Sequence, residues 1–239
     1  MIRNDFRNVM RPSFGRCLAC ACRSLSICSV LDEADLLELE RMGRHVHLAA
    51  HETLFTAGQE AKSVHNIVAG VARLYKLLPD GRRQIIGFAL PGDFLGLAIS
   101  ERYTFSVDAI DAVSACRFPA EVFSQFVRAR PQLLVRMNEL AARELAQAQE
   151  QMLLLGRRSA EEKIAAFLVA WRERLAQIGD ASKTIALPMS RQDIADYLGL
   201  TIETVSRTLT RFEREKMLVI VTGGVRLLDT DRAESMAAA

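Results

Sequence analysis

Between Met189 and Phe212 the chain is punctuated in a way that few folds can accept. Ser190 followed three residues later by Asp193 predicts a capping box opening one short helix. Leu198-Gly199-Leu200 ends that helix, and Thr201 caps the next. Two short helices joined by a tight glycine-containing turn make a helix-turn-helix, whose second helix enters the major groove of DNA. The second helix has two faces. Ile202, Val205, Leu209 and Phe212 are apolar, while Glu203, Ser206, Arg207, Thr210 and Arg211 recur at helical spacing on the other side. Arg can donate to guanine O6 and N7, Glu can accept from cytosine N4, and Ser suits either role, so double-stranded DNA is the expected partner of that face. Five basic residues between Arg191 and Lys216 are matched by five acidic ones, so the punctuation supports this reading and charge does not. Met217 to Leu228 then reads as two strands turning at Gly223-Gly224, which makes the unit a winged one.

The rest of the chain is long enough for a second body. At 239 residues two compact domains are expected. A formal net charge of +2 argues against indiscriminate coating of nucleic acid. Arg3, Arg7, Arg11 and Arg16 are followed by no apolar run of signal-peptide length, and no stretch approaches a membrane span. A cytoplasmic location, where thiols stay reduced, is therefore expected, with no membrane partner.

From about Arg44 short β-type runs alternate with turns: Val64–Val71, Ala72–Leu78, Arg83–Leu90 and Phe105–Phe118, with Pro79-Asp80-Gly81 and Pro91-Gly92-Asp93 between them. They predict a small antiparallel barrel or jelly roll over residues 44–118, after a short helix at Leu31–Met42. A helix at Ala120–Ala129 precedes Pro131, and no Gly or Pro interrupts the chain from Gln132 to Leu155, so one long helix is expected there with Gly156 stopping it. Within it Leu134, Met137, Ala141, Leu145, Ala148, Met152 and Leu155 recur at steps of three and four, the period of a two-helix seam. The seam predicts a homodimer. A helix at Ala160–Gln177 and a loop at Gly179–Lys183 lead to the winged unit.

Four of the five cysteines, Cys17, Cys20, Cys22 and Cys28, fall within twelve residues; the fifth is Cys116. Thiolates are soft ligands for iron–sulfur clusters, zinc or copper(I), and a local run with short spacers is how a flexible segment wraps a metal centre.

The order barrel, long helix, winged helix-turn-helix resembles the Crp/Fnr superfamily of transcription regulators over nearly the whole chain, and its Fnr branch most closely. Gly87–Gly96, Met152–Lys163 and Leu198–Arg207 carry the resemblance. It implies an α+β fold: a cysteine-rich segment (1–30), a double-stranded β-helix sensor domain of the cyclic-nucleotide-binding type (31–130), a dimerisation helix (131–156) and a winged helix-turn-helix (157–239). It implies a Glu-x-x-Ser-Arg signature on Glu203, Ser206 and Arg207, with Thr201, Thr210 and Arg211 beside them, reading TTGAT and ATCAA half-sites. It also implies a [4Fe-4S] cluster on Cys17, Cys20, Cys28 and Cys116, oxygen-responsive activation of anaerobic or microaerobic genes, and contact with RNA polymerase, for which the Pro79–Arg82 turn is the candidate surface. Cys22, with five residues between it and Cys28 as in the spacing of the enteric form, is the alternative middle ligand. Target genes stay open between general anaerobic functions, nitrogen fixation and aromatic degradation.

Three other readings compete for these residues. A Cys₄ zinc site or a bare thiol switch is one, although Cys116 has no paired arm. A cyclic nucleotide is not expected, because Gly96 to Ser106 lacks the acidic and Arg-Ser features of the phosphate-binding segment. A cupin-type metalloenzyme would use His45, His47 and His51, but no second His/Glu group follows, so no catalysis is expected.

Overall fold

The computed structural model describes residues 17–96, 101–180 and 182–238. The arginines at 3, 7, 11 and 16, and residues 97–100 of the Gly96–Ser106 region, lie outside them. The chain divides into two compact units, residues 1–77 with 86–145, and residues 78–85 with 146–239.

In the first unit, two single 3-10 turns at Cys17–Ala19 and Ile27–Val30 lead to helix α1 (Glu33–Met42). Asp32 caps α1 by accepting the Asp35 N–H at 2.8 Å, and Glu33 and Asp35 occupy the first turn, where the helix dipole favours acids. Eight strands follow: β1 (Arg44–Leu48), β2 (Thr53–Phe55), β3 (Ser63–Ala69), β4 (Ala72–Leu77), β5 (Arg83–Ala89), β6 (Phe94–Leu95), β7 (Ser106–Ala109) and β8 (Val113–Pro119). They form two four-stranded sheets in the orders β1-β8-β3-β6 and β2-β7-β4-β5. Phe105–Phe118, expected as one run, is two strands in different sheets. The break falls at Asp111, whose carboxylate accepts the Val71 N–H at 2.6 Å. Gly70 opposes it at φ +81, where a Cβ would stand 2.2 Å from the Ala112 oxygen.

Between the sheets lies one core, with Leu48, Ile67, Leu95, Val107 and Ala115 among its members. Because side chains alternate along a strand, the neighbouring Val64, Phe94 and Phe118 point out of the roll and found a second core. That second core is covered by Ile27, Cys28 and Leu31 of the N-terminal segment, Leu36 and Leu39 of α1, Phe123, Phe126 and Val127 of α2 (Ala120–Arg128), and Leu133 and Met137 of α3 (Pro131–Arg157).

Helix α3 departs from expectation at two points. It runs through Gly156 to Arg157, because a glycine with nothing demanding positive φ can stay helical, and Ser159 then caps the next helix. Met137, counted in the seam, is 7 % exposed and belongs to the chain's own second core. Leu133 and Met137, one turn apart, form the inward face here, so the exposed stripe is Leu134, Ala141, Leu145, Ala148, Met152 and Leu155. Leu134, Leu145 and Met152 are 58 %, 60 % and 67 % exposed.

The second unit contains α4 (Ala160–Gln177), β9 (Thr184–Ala186), α5 (Arg191–Leu198), α6 (Ile202–Arg214), β10 (Leu218–Val221), β11 (Gly224–Leu227) and α7 (Thr230–Ala238). The expected two-stranded wing is a three-stranded sheet, β10-β11-β9. Gly224 pairs with Ala186, and a Cβ there would stand 2.2 Å from the Ile185 oxygen, so the approach of β9 explains this glycine. Helix α7 is tied to α4 by an Arg172–Glu234 ion pair at 2.7 Å. No helix among the described residues is long and apolar enough to cross a membrane.

Candidate nucleic-acid interface and thiol centre

The two short helices form as their punctuation predicts. Ser190 Oγ accepts the Asp193 N–H at 3.0 Å while Asp193 Oδ2 accepts the Ser190 N–H at 3.0 Å, closing both halves of the capping box. Gly199 ends α5 at φ +63, a left-handed conformation that glycine adopts without strain. Thr201 Oγ1 then accepts the Thr204 N–H at 3.2 Å and starts α6.

On α6, Val205, Leu209 and Phe212 are buried, and Glu203, Ser206, Arg207, Thr210 and Arg211 are exposed, with Thr201 exposed at the cap. Ile202, expected on the packed face, is exposed at the first position of α6. Glu203 ionises more readily than a free glutamate, held down by a backbone N–H, the Thr201 hydroxyl and the charge of Arg207. Thr210 donates its hydroxyl to the Ser206 oxygen at 3.0 Å, and Arg211 pairs with Glu215 at 2.8 Å and with Glu161. Arg211 is thus engaged within the protein, and Glu203, Ser206 and Arg207 make up the outward triad.

One element of this interface had no sequence signal. Arg83 donates through Nη2 to Asp193 Oδ1 at 2.7 Å and through Nε to Asp196 Oδ2 at 2.9 Å, and Gln84 Nε2 donates to the Asp196 carbonyl at 2.7 Å. Residues 78–85 belong to the second unit, and this fork holds α5 by both of its acidic residues. At the tip, Arg82 pairs with Asp80 at 2.7 Å and Leu77 and Leu78 are exposed.

The thiols gather in the first unit. Cys116 lies on β8 opposite His45 on one side and Asn66 on the other. Its Sγ is 3.9 Å from His45 Nδ1. Cys17 and Cys116 line one cavity of about 330 Å³ with Glu40, Arg44, His45 and Phe118, and Glu40 accepts the Cys17 N–H at 3.1 Å. Burial pushes the Cys116 thiol up to about 12, and the charges of Cys17, Cys20, Cys28 and Glu40 add to the effect. Burial likewise takes Cys17 up to about 12, reinforced by Cys28, Glu40 and Cys20. It takes Cys28 up to about 11, against the Ser26 hydroxyl and Arg23, which lower it.

Cys22 is fully buried. Its Sγ lies 3.6 Å from the Ile67 carbonyl oxygen, 3.8 Å from Asn66 Nδ2 and 3.5 Å from Cys20 Sγ. The hydrogen bond between the two thiols lowers Cys20 to about 6 and, with burial, raises Cys22. The five thiols lie near enough for their charges to act on one another, and no three His, Cys, Asp or Glu side chains among the described residues are arranged to hold a single metal ion.

The remaining histidines do not converge. His47 Nδ1 is 2.9 Å from Ser114 Oγ, and His51 turns the chain after β1 at φ +72. A cavity of about 590 Å³ in the same unit is lined by Phe55, His65, Tyr103 and Arg117 among others.

Fold and interface together define a DNA-binding regulator with a β-roll regulatory domain. Residues 45–130 match the family model described as "Cyclic nucleotide-binding domain", and residues 187–218 match "Bacterial regulatory proteins, crp family". The chain is 60 % identical over 220 residues to the transcriptional activatory protein AadR of Rhodopseudomonas palustris, covering 92 % of each chain. It is 58 % identical over 231 residues to the nitrogen fixation regulation protein FixK of Bradyrhizobium diazoefficiens, covering 97 % of this chain and 98 % of that one. The solved structure of FixK2 from Bradyrhizobium japonicum superposes with a TM-score of 0.77 at 35 % identity, over 82 % of this chain and 98 % of that one. The chain belongs to the Crp/Fnr family of transcription regulators.

Proposed function

We propose that this regulator is a cytoplasmic homodimer that activates anaerobic or microaerobic genes, binding TTGAT and ATCAA half-sites when a [4Fe-4S] cluster is held by Cys17, Cys20, Cys28 and Cys116, with Cys22 the alternative middle ligand. The observation that carries it is the meeting of Cys116 with the N-terminal thiols, 88 residues apart from Cys28 in sequence. A cubane cluster takes one thiolate on each of four irons, so its ligands need not converge on a single ion, and four thiols around a part-buried site fit that demand. When bound, such a cluster supplies an oxygen-labile link between the N-terminal segment and β8.

Residues of the chain itself pass that order to the dimer helix. Cys28, Leu133 and Met137 share one core, and Arg136 Nη2 donates to the Leu25 carbonyl at 3.4 Å. Ordering the segment thus biases the first turns of α3, and with them the stripe Leu134, Ala141, Leu145, Ala148, Met152 and Leu155. The link works only if the cluster binds the dimeric form more tightly. A two-fold dimer sets its α6 helices about 34 Å apart, one turn of DNA. Arg207 and Glu203 then supply the base contacts and Ser206 an adaptable one. The Pro79–Arg82 turn, with Leu77 and Leu78 beside it, is the surface offered to RNA polymerase. No cyclic nucleotide is part of this reading, since Gly96 to Ser106 lacks the acidic and Arg-Ser features of a phosphate-binding segment. The name of FixK supports nitrogen fixation as a target process, with aromatic degradation the alternative.

Anaerobic purification followed by iron and acid-labile sulfide assay tests the sensing half: about four of each per chain are expected, and zinc or no metal refutes it. Gel shifts before and after air test the switch. Arg207→Ala should weaken operator binding and relax base preference, and unchanged discrimination against a G·C-swapped site counts against its role. A thiol switch is the second reading, favoured by the Cys20–Cys22 separation of 3.5 Å. It requires metal-free protein whose DNA binding is lost to an oxidant and restored by dithiothreitol.

A further inference from the structure

On β3 and β8 the inward positions are apolar at Ile67, Val113 and Ala115, but at the other end of the ladder Ser63, His65 and Arg117 take them. Ser63 and His65 are 4 % and 3 % exposed, and His65 pairs with Arg117 across the ladder. Where a sequence departs from the alternation that packing asks for, a functional site is the expected reason. All three residues line the cavity of about 590 Å³, a volume typical of small-molecule sites. Tyr103 is the one described residue of the Gly96–Ser106 segment that lines it, so the site is built mainly by β1, β2, β3 and β8.

Its other charged groups are engaged within the protein. Glu60 pairs with Lys62 at 3.0 Å, and Glu52 accepts the Ala49 N–H at 2.7 Å. Arg117 donates through Nε to Ser63 Oγ at 2.8 Å and to no carboxylate among the described residues. That bond pins the guanidinium and leaves its two Nη groups, the paired donors that match a carboxylate. Phe55 supplies an apolar wall beside them, stacked with His65 and Tyr103 at centroid distances of 5.5 Å and 3.8 Å. A pinned cation next to an apolar wall suits an anion with an apolar body; an oxyanion that is polar all round gains nothing from the wall.

We infer that this cavity binds a small organic carboxylate, its acid group on the Arg117 guanidinium and its apolar body against Phe55. The inference stands without the cluster reading. Arg117 follows Cys116 on β8, so an acid held here gives the regulatory domain a second chemical input beside its thiols.

The test titrates benzoate, hexanoate, benzamide and inorganic phosphate into the full-length protein and follows the ring resonances of His65 and Tyr103. Benzoate, hexanoate or both should shift them saturably at about millimolar concentration, the affinity a few such contacts give a small ligand. The tighter of the two tells whether the site prefers a flat body or a chain, and either result supports the inference. Benzamide, which has the shape of benzoate without its charge, should bind at least about tenfold more weakly, and Arg117→Gln should weaken the acids by a similar factor. Arg117 is exposed, so that variant should unfold at the wild-type temperature; if it unfolds lower, the benzamide comparison decides. Phosphate binding as tightly as the acids overturns the inference, because a bare cation would then be enough. Benzamide equal to benzoate, acid affinity unchanged in a folded Arg117→Gln, or no saturable shift with either acid also overturns it.

Discussion

His65 gives the fold an acid sensitivity that one substitution should remove. It lies on β3, 3 % exposed, stacked on Phe55 with ring centroids 5.5 Å apart and paired across the ladder with Arg117. Its Nδ1 has no partner among the described residues. Burial, and then the Arg117 charge, depress its imidazole from 6.5 to about 4. Between those values the unfolded chain binds the proton and the folded chain does not, so stability present at neutral pH is lost as pH falls from 6.5 toward 4. At about 1.36 kcal/mol per pH unit, the loss attributable to His65 between pH 6.5 and about 4.5 is ~2.7 kcal/mol. Urea unfolding followed by circular dichroism across that range should show His65→Leu losing less stability than wild type by that amount. Surface carboxylates titrate alike in both proteins and cancel in the difference. Parallel pH profiles for the two proteins, or a His65 ring resonance titrating above about pH 6, would refute the reasoning.

Two further substitutions probe the other parts. Arg83→Ala leaves Asp193 and Asp196 without their shared cation; Asp193's side chain is only 4 % exposed, so the cost to the second unit should be about 3 kcal/mol. Trp171 fluorescence should report it as a lower urea midpoint, with weaker operator binding; an unchanged midpoint would mean the fork is idle. Leu145→Asp changes a side chain that faces outward, so the unfolding midpoint should stay within about 0.5 kcal/mol of wild type. Sedimentation velocity should instead show the monomer, and a persisting dimer would place the interface elsewhere.

What could be read from the sequence is what the backbone demands over a few residues. Ser190, Asp193, Gly199 and Thr201 each answer a local need of a helix end, and these caps stand where the spacing puts them. The family-bearing stretches and the Gly- and Pro-free run of α3 are of the same kind. Positions that depend on a distant partner are less legible. Met137 fits the 3.5-residue period as well as Leu145 does, but the sheet face beneath α3 claims it for the chain's own core. Gly224 passes for a turn glycine until β9 lies against it. Phe105–Phe118 is apolar enough to be one strand, and only the Asp111–Val71 bond shows where it changes sheets.

The thiol centre divides along the same line. By itself the sequence determined that four cysteines share one short segment, that a fifth stands alone, and that a DNA-reading helix follows downstream. Only the tertiary structure decided that Cys116 shares a cavity with Cys17, and that Asn66 pairs with Cys116 across the ladder while its amide reaches Cys22. Short spacing is a property of the chain. The meeting of β8 with the N-terminal segment depends on which face of β3 and β8 points outward, and that alternation is settled only when both cores of the β-roll have packed.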